Sequence, residues 1–335
     1  MKFGLFGGAV ARRGEESADS QGYGGFIDTV IEAEQLGFES IFIVEHHFSG
    51  GGQLSSSLNL LSYLAAKTSR IRLGTAVTVL PWHNPVLIAE QAATVDLLSR
   101  GRLDFGVGKG YRDIEFNGFC IPKEEALARY EESIEVIVKS WTSNERFDYE
   151  GKFWSFKDII VEPPTIQKPH PPLWTAAGTD QSIARVAQSG MSVMFDQFAS
   201  FARTEERLKA WRDGCDSIGR RFDPMEVALA RGVNIALSKE GLKEAMAIRE
   251  ERVARMFDKF GALPGLERKI PDQPDSYANP DLAIDDAALL GTPDMIIERI
   301  QTLKEMGFEH ILFLLPDNVE TLRIISKEIM PAFKS

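Results

Sequence analysis

The chain has 335 residues, 44% of them hydrophobic and 26% charged, a balance that excludes disordered and fibrous classes. Its formal net charge of −11 repels a phosphate backbone, which excludes nucleic acid as a general partner but not a local cationic pocket for one phosphate. Two cysteines, Cys120 and Cys215, stand in no CxxC pattern; they exclude a disulfide framework or zinc ribbon and fit a reducing cytoplasm.

The elements alternate from the start. "KFGLFGG" is a short strand-like run, although the N-terminal stretch turns charged too soon for a signal peptide. "FIDTVIEAEQLGF" has helical spacing and stops at Gly37. "SIFIVEH" reads as a strand, "LNLLSYLAAKTS" as a helix and "IRLGTAVTVL" as a β-rich run. "PVLIAEQAATVDLLSRG" starts a helix at Pro85 and ends it at Gly101, and "RLDFGVG" is the next strand. "LARYEESIEVIVKSW" is an amphipathic helix, followed by a proline-rich, aromatic excursion over 144–171.

Alternation then resumes, with strands "PLWTAAG", "MSVMFDQF" and "EVALARGVNIAL" and helices "SIARVAQSG", "TEERLKAWRDGCDSIG" and "GLKEAMAIREERVARMFDKF". A second irregular stretch, rich in Pro and Asp, covers 261–290. It is a candidate lid or a plain surface loop. A helix "DMIIERIQTLKEMG", a strand "HILFLLP" and a helix "VETLRIISKEIMPAF" finish the chain. No window approaches the roughly 18 to 20 apolar residues of a membrane span, so a soluble cytoplasmic protein is expected.

About eight strands, most followed by a helix, predict an α/β fold, a (β/α)8 TIM barrel with insertions. A weak repeat, "EQLGFESIFI" against "KEMGFEHILF", supports it. A doubly wound sheet competes, but its first strand usually closes on a GxGxxG loop that "KFGLFGGAVARRGEE" lacks. The expectation is one barrel domain over 1–335, with 144–171 and 261–290 as insertions.

Barrel active sites form at the C-terminal ends of the strands, which makes candidates of His46, His47, His83, Lys109, Tyr111, Arg112 and Asp113. His310 falls at the start of its strand, and His170 in the first insertion. One of His46 and His47 faces the barrel mouth, and periodicity does not choose between them. "EHH" lacks the HxH alternation that aims two imidazoles one way and no HExxH occurs, so a metal site is not expected. His83, in a loop, reads as a pocket residue or, more commonly, a solvated one. In "FGVGKGYRD" the glycines read as close backbone approach, or as room for a flat ligand with Lys109 beside an anionic group. In "AAGTDQS", Thr179 or Asp180 reads as a helix N-cap; the alternative is a phosphate held by the helix N-terminus with Thr179 and Ser182.

Taken together and in order, "MKFGLF", "LGFESIFIVEHHF", "IRLGTAVTVLPWHNPV", "AEQAATVDLLSRGRLDFGVGKGY" and "AAGTDQSIARVAQSG" resemble the bacterial luciferase-like flavin monooxygenases. The likeness covers nearly the whole chain and is tightest over 1–130; within the family it is to the α-type subunits of alkanal monooxygenase. It implies the same barrel and the use of reduced FMN with O2, or of the deazaflavin F420. It matches the family's active-site histidine to His46, which leaves His47 a structural neighbour. It matches the phosphate-holding basic residues to Lys109 and Arg129, and the hydroxyl-rich phosphate loop to Gly178, Thr179 and Ser182. The family's non-prolyl cis peptide falls on Ala76-Val77, with Gly108 on the same flavin-facing wall.

Lys109 replaces an arginine of luciferase, Gly178 a glutamate and Gly108 a reactive cysteine. These departures point away from light emission and a long-chain aldehyde. A reactive flavin needs a dry site, and Phe6, Trp82, Tyr111, Trp174 and Phe195 are expected as apolar walls of the substrate pocket. The resemblance also implies a separate NAD(P)H:flavin reductase and a homodimer. The competing readings are an F420-dependent oxidoreductase and a non-catalytic flavin-binding partner subunit.

Overall fold

A computed structural model describes residues 1–11, 18–238, 240–260, 287–316 and 318–334. In chain order the first elements are β1 (Lys2–Gly7), α1 (Ala18–Leu36), β2 (Ser40–Ile43), α2 (Ser57–Lys67), β3 (Arg72–Thr75) and β4 (Thr78–Val79). Then come α3 (Pro85–Leu98), β5 (Leu103–Gly108), α4 (Asp113–Gly118), α5 (Ala126–Thr142), β6 (Phe147–Glu150), β7 (Ser155–Ile159) and β8 (Leu173–Ala176). The last are α6 (Asp180–Ser189), β9 (Ser192–Phe195), α7 (Phe201–Asp216), β10 (Val227–Arg231), β11 (Val233–Ile235), α8 (Leu242–Phe260), β12 (Leu289–Gly291), the helix Pro293–Met306, β13 (His310–Leu314) and the helix Val319–Ile324.

The main sheet runs β3-β2-β1-β13-β10-β9-β8-β5-β4, and β3 also pairs β5. Eight parallel strands therefore close into the expected (β/α)8 barrel, with β4 as a short extension beside β5. Helix ends follow their local chemistry. Asn84 caps α3 by accepting the Val86 and Leu87 amides, with Pro85 at the first helical position. Gly190 and Gly307, at φ 82° and 113°, end two helices in the left-handed region that side chains avoid.

The chain divides into two compact units. One comprises Gly7–Ile31 and Ser40–Trp174. Its core sets Phe42 edge-on to Trp174 and Phe105 edge-on to Trp141, whose indole donates to the Ala89 carbonyl at 2.9 Å. Gly74 is needed there because a Cβ would run into the Phe42 ring. Arg102 ties α2 to the following strand by donating to the carbonyls of Ala65, Thr68 and Ile71.

The other unit comprises Met1–Phe6, Glu32–Glu39 and Thr175–Ser335. Phe3 stacks on Phe313 and meets Phe333 edge-on, while Phe38 closes on Phe313 from the side. Each buried ring contributes about 1.5–3 kcal/mol by its removal from water.

Four details differ from the sequence reading. Strand β2 ends at Ile43, because the amides of Val44 and His46 turn away to the carbonyls of Gly7 and Leu54. The run 72–79 is two strands interrupted at Ala76-Val77, and the run 227–235 is two strands interrupted at Gly232. The C-terminal helix changes to a π turn over Ile325–Ile329 and a 3-10 turn over Met330–Phe333. The 144–171 excursion carries an antiparallel hairpin, β6 with β7, whose loop amides at Lys152, Phe153 and Trp154 are all accepted by the Glu132 carboxylate. Within 261–290, the candidate lid at 261–286 lies outside the described residues, and the final positions enter β12.

Candidate active site

The peptide after β2 carries Glu45, His46 and His47, and two buried carboxylates organise it. Glu45 is 3% exposed. Its Oε1 accepts from His83 Nε2 at 2.8 Å, Trp82 Nε1 at 3.2 Å and His47 Nε2 at 3.3 Å, with the Val79 amide at 3.4 Å. Burial pushes the pKa of this carboxyl up, but the hydrogen bonds and charges of His47 and His83 prevail and hold it at about 2. Glu45 thereby fastens the 3-10 turn Leu80–Trp82, which follows β4, to the end of β2.

The second carboxylate is Glu115 in α4, 1% exposed. Its Oε1 lies 3.0 Å from His46 Nδ1 and accepts the His47 amide at 2.9 Å. Arg112 stands 3.9 Å away and also donates to Gln53. His46 meets Tyr111 edge-to-face with ring centroids 6.5 Å apart, and its Nε2 has no hydrogen-bond partner among the described residues. His47 instead packs into an aromatic group, with Phe119 at 4.9 Å, Phe48 at 5.8 Å and Trp82 at 5.9 Å.

The histidine pair is thus divided. His47 is held through its ring by Glu45 and through its amide by Glu115. His46 is held on one nitrogen only. His83 is no solvated loop residue, because it makes the shortest of the Glu45 contacts.

Glu45, His47 and His83 bring ligand-type atoms within 4.8 Å of one another, a set able to hold a metal ion. Each is already engaged through a proton, since one carboxylate oxygen collects four N–H donors. Neither carboxylate was singled out by the sequence reading. Glu45 was visible as part of "EHH", whereas Glu115 lies in a six-residue helix too short for periodicity to reveal.

Other expected site residues fall as follows. Ala76-Val77 is a cis peptide bond, as the resemblance implies. Gly108 ends β5, and a Cβ there would strike the Val77 side chain. The close approach read for this glycine is therefore made by Val77. Thr78 Oγ1, beside the cis bond, is buried without a partner among the described residues. Lys109 is exposed just beyond β5. Arg129, in the first turn of α5, pairs with Glu125 at 2.8 Å and lies 4.4 Å over the Phe153 ring. No described contact joins Lys109 to Arg129.

Phe6 and Trp82 are half-buried, and Tyr111 is 47% exposed. Trp174 is 5% exposed and packs on Phe42. Phe195, 1% exposed, lies edge-on to Phe308. Both rings are buried.

In the other unit, Gly178 accepts from Arg207 Nε at 3.0 Å, and Thr179 caps α6. Thr179 Oγ1 accepts the Ser182 amide at 3.2 Å, and Ser182 Oγ accepts the Thr179 amide at 3.1 Å. This reciprocal capping box is the N-cap favoured by the sequence. Asp180 in the first turn pairs with Arg203 at 2.8 Å.

A closed (β/α)8 barrel whose second strand leads into a carboxylate-held histidine is a scaffold for proton-handling chemistry at the strand ends. The model of the luciferase-like monooxygenase family matches residues 1–310, and the chain belongs to that family. It is 26% identical to the oxygenase component of the flavin-dependent trigonelline monooxygenase of Acinetobacter baylyi, over 99% of this chain and 96% of the relative. It is 29% identical to an F420-dependent glucose-6-phosphate dehydrogenase of Nakamurella multipartita, over 95% of each. Among solved structures, monooxygenase RslO1 from Streptomyces bottropensis superposes with a TM-score of 0.83 at 25% identity, covering 100% of both chains.

Proposed function

We propose that the chain is the oxygenase of a two-component flavin system, using reduced FMN and O2 to oxygenate a small organic substrate. The observation that carries this reading is the full-length likeness to RslO1 and the trigonelline oxygenase component, both monooxygenases by name. His46 Nε2 and the buried Thr78 Oγ1, both without a partner among the described residues, fit the reading, because a flavin edge offers both hydrogen-bond donors and acceptors. His46 would act as the proton-handling group near the flavin. Ala76, Val77 and Gly108 would form a wall against it, and Trp82 and Tyr111 would line the substrate side. Lys109 and Arg129 would hold the phosphate; the alternative anion site is the helix N-terminus at Gly178, Thr179 and Ser182, whose capping box would have to open to admit it.

Bound flavin supplies the oxygen chemistry, and the chain supplies position, exclusion of water and proton transfer at His46 Nε2. The partners in this reading are a NAD(P)H:flavin reductase and a second copy of the chain. No helix among the described residues is long and apolar enough to cross a membrane. The F420 reading stays in play through the dehydrogenase relative and would make the chain a hydride-transfer enzyme that needs no O2.

A panel of small organic substrates, run with a flavin reductase and isotopically heavy O2, separates the two. One heavy oxygen atom in a product supports the oxygenase. Turnover that requires F420 and proceeds without O2 overturns it.

A further inference from the structure

Glu115 is the only hydrogen-bond partner of the His46 ring among the described residues. We infer that Glu115 is a positioning residue that fixes the tautomer of His46, keeping the proton on Nδ1 and leaving Nε2 with its lone pair. The inference rests on the reading of His46 as the proton-handling group and adds which nitrogen does the work.

The geometry carries it in three steps. A backbone N–H can only donate, and the His47 amide reaches Glu115 Oε1 at 2.9 Å, so that oxygen serves as an acceptor. The Arg112 guanidinium, which can only donate, stands 3.9 Å from the same oxygen. His46 Nδ1 lies 3.0 Å from this acceptor, so the favourable arrangement puts a hydrogen on Nδ1. In a neutral ring the other nitrogen then carries none. Nε2, the ring atom without a described partner, becomes the proton acceptor.

Glu115 is itself held in place. It is 1% exposed, and its amide donates to the Arg112 carbonyl at 3.1 Å. Glu45 does not share the task, since its contacts go to His47, His83 and Trp82. The division assigns one carboxylate to the structural histidine and the other to the working one.

The test is nitrogen NMR of the full chain with labelled histidine, the His46 signals assigned by their loss in His46→Gln. Wild type should show a protonated Nδ1 and a bare Nε2. Glu115→Gln is isosteric but offers an N–H as well as a carbonyl, so it admits the opposite tautomer and should move the proton towards Nε2. In the reductase-coupled assay its kcat should fall about 10- to 100-fold. Glu115→Asp, which keeps the carboxylate, should recover part of that loss.

A wild-type proton on Nε2, or a Glu115→Gln tautomer identical to wild type, overturns the inference. A residue that merely supports the fold would lower stability without moving a proton between ring nitrogens. The tautomer is read without flavin or substrate. An Nδ1–H ring in a chain that shows no oxygenation would therefore contradict the proposed function and leave the role of Glu115 standing.

Discussion

Replacing Glu45 by glutamine tests the electrostatics of the site by its pH dependence. The ordinary carboxyl value of 4.5 falls to about 2 in the fold. At roughly 1.4 kcal/mol per tenfold change in proton affinity, that lowering makes the ionised carboxylate a contributor of about 3 kcal/mol. The folded value is depressed, so the contribution is fully present above pH 4.5 and is lost as pH falls through about 2. Glu45→Gln keeps one accepting oxygen for the four N–H donors, loses the charge at every pH, and places an NH2 group where Ser57 Oγ approaches Oε2 at 3.5 Å.

Urea unfolding of both proteins should show a stability gap of about 3 kcal/mol at pH 6, shrinking to about 1 kcal/mol at pH 3. Shifts common to both proteins cancel in the difference. A gap equal at the two pH values would refute the assignment of the depressed carboxyl to Glu45. So would a glutamine variant as stable as wild type at pH 6.

Further outcomes follow from the same contacts. Gly108→Ala presses a methyl into Val77 and should cost about 1–3 kcal/mol, read as a lowered Tm; adding Val77→Ala should recover most of the loss. Arg102→Lys keeps a charge but not the planar fork that reaches three carbonyls, and should lower the unfolding free energy by about 1–3 kcal/mol, checked by denaturant titration. His46→Ala should reduce reductase-coupled turnover by about 100-fold or more while flavin affinity, measured by fluorescence, changes far less; unchanged turnover would contradict the role of His46.

The barrel was legible because its information is periodic. Short apolar runs alternate with helical stretches, and the stop signals at Gly37 and Gly101 and the start at Pro85 act locally. The N-cap at Thr179 was legible for the same reason, since a capping box is written within four residues. The break in the strand at Ala76-Val77 was not visible in the apolar pattern; the family resemblance gave only the cis peptide there. The carboxylate network was hidden for a different reason. Glu115 meets His46 across 69 positions of sequence, and Glu45 meets His83 across 38, distances over which no local pattern operates. Alternation along a strand could not orient the histidines, because regular pairing stops at Ile43, before either is reached. Strand-end position says nothing about which face a ring takes, and the Phe195 ring lies against Phe308.

The central claim is that this chain binds reduced FMN and uses it with O2. An anaerobic equilibrium titration of the full chain with FMN, reduced FMN and F420 addresses it most directly. The account predicts micromolar binding of reduced FMN, tighter than that of oxidised FMN, followed on admission of air by reductase-coupled oxygenation of a substrate. Micromolar binding of F420 with no binding of reduced FMN would contradict it.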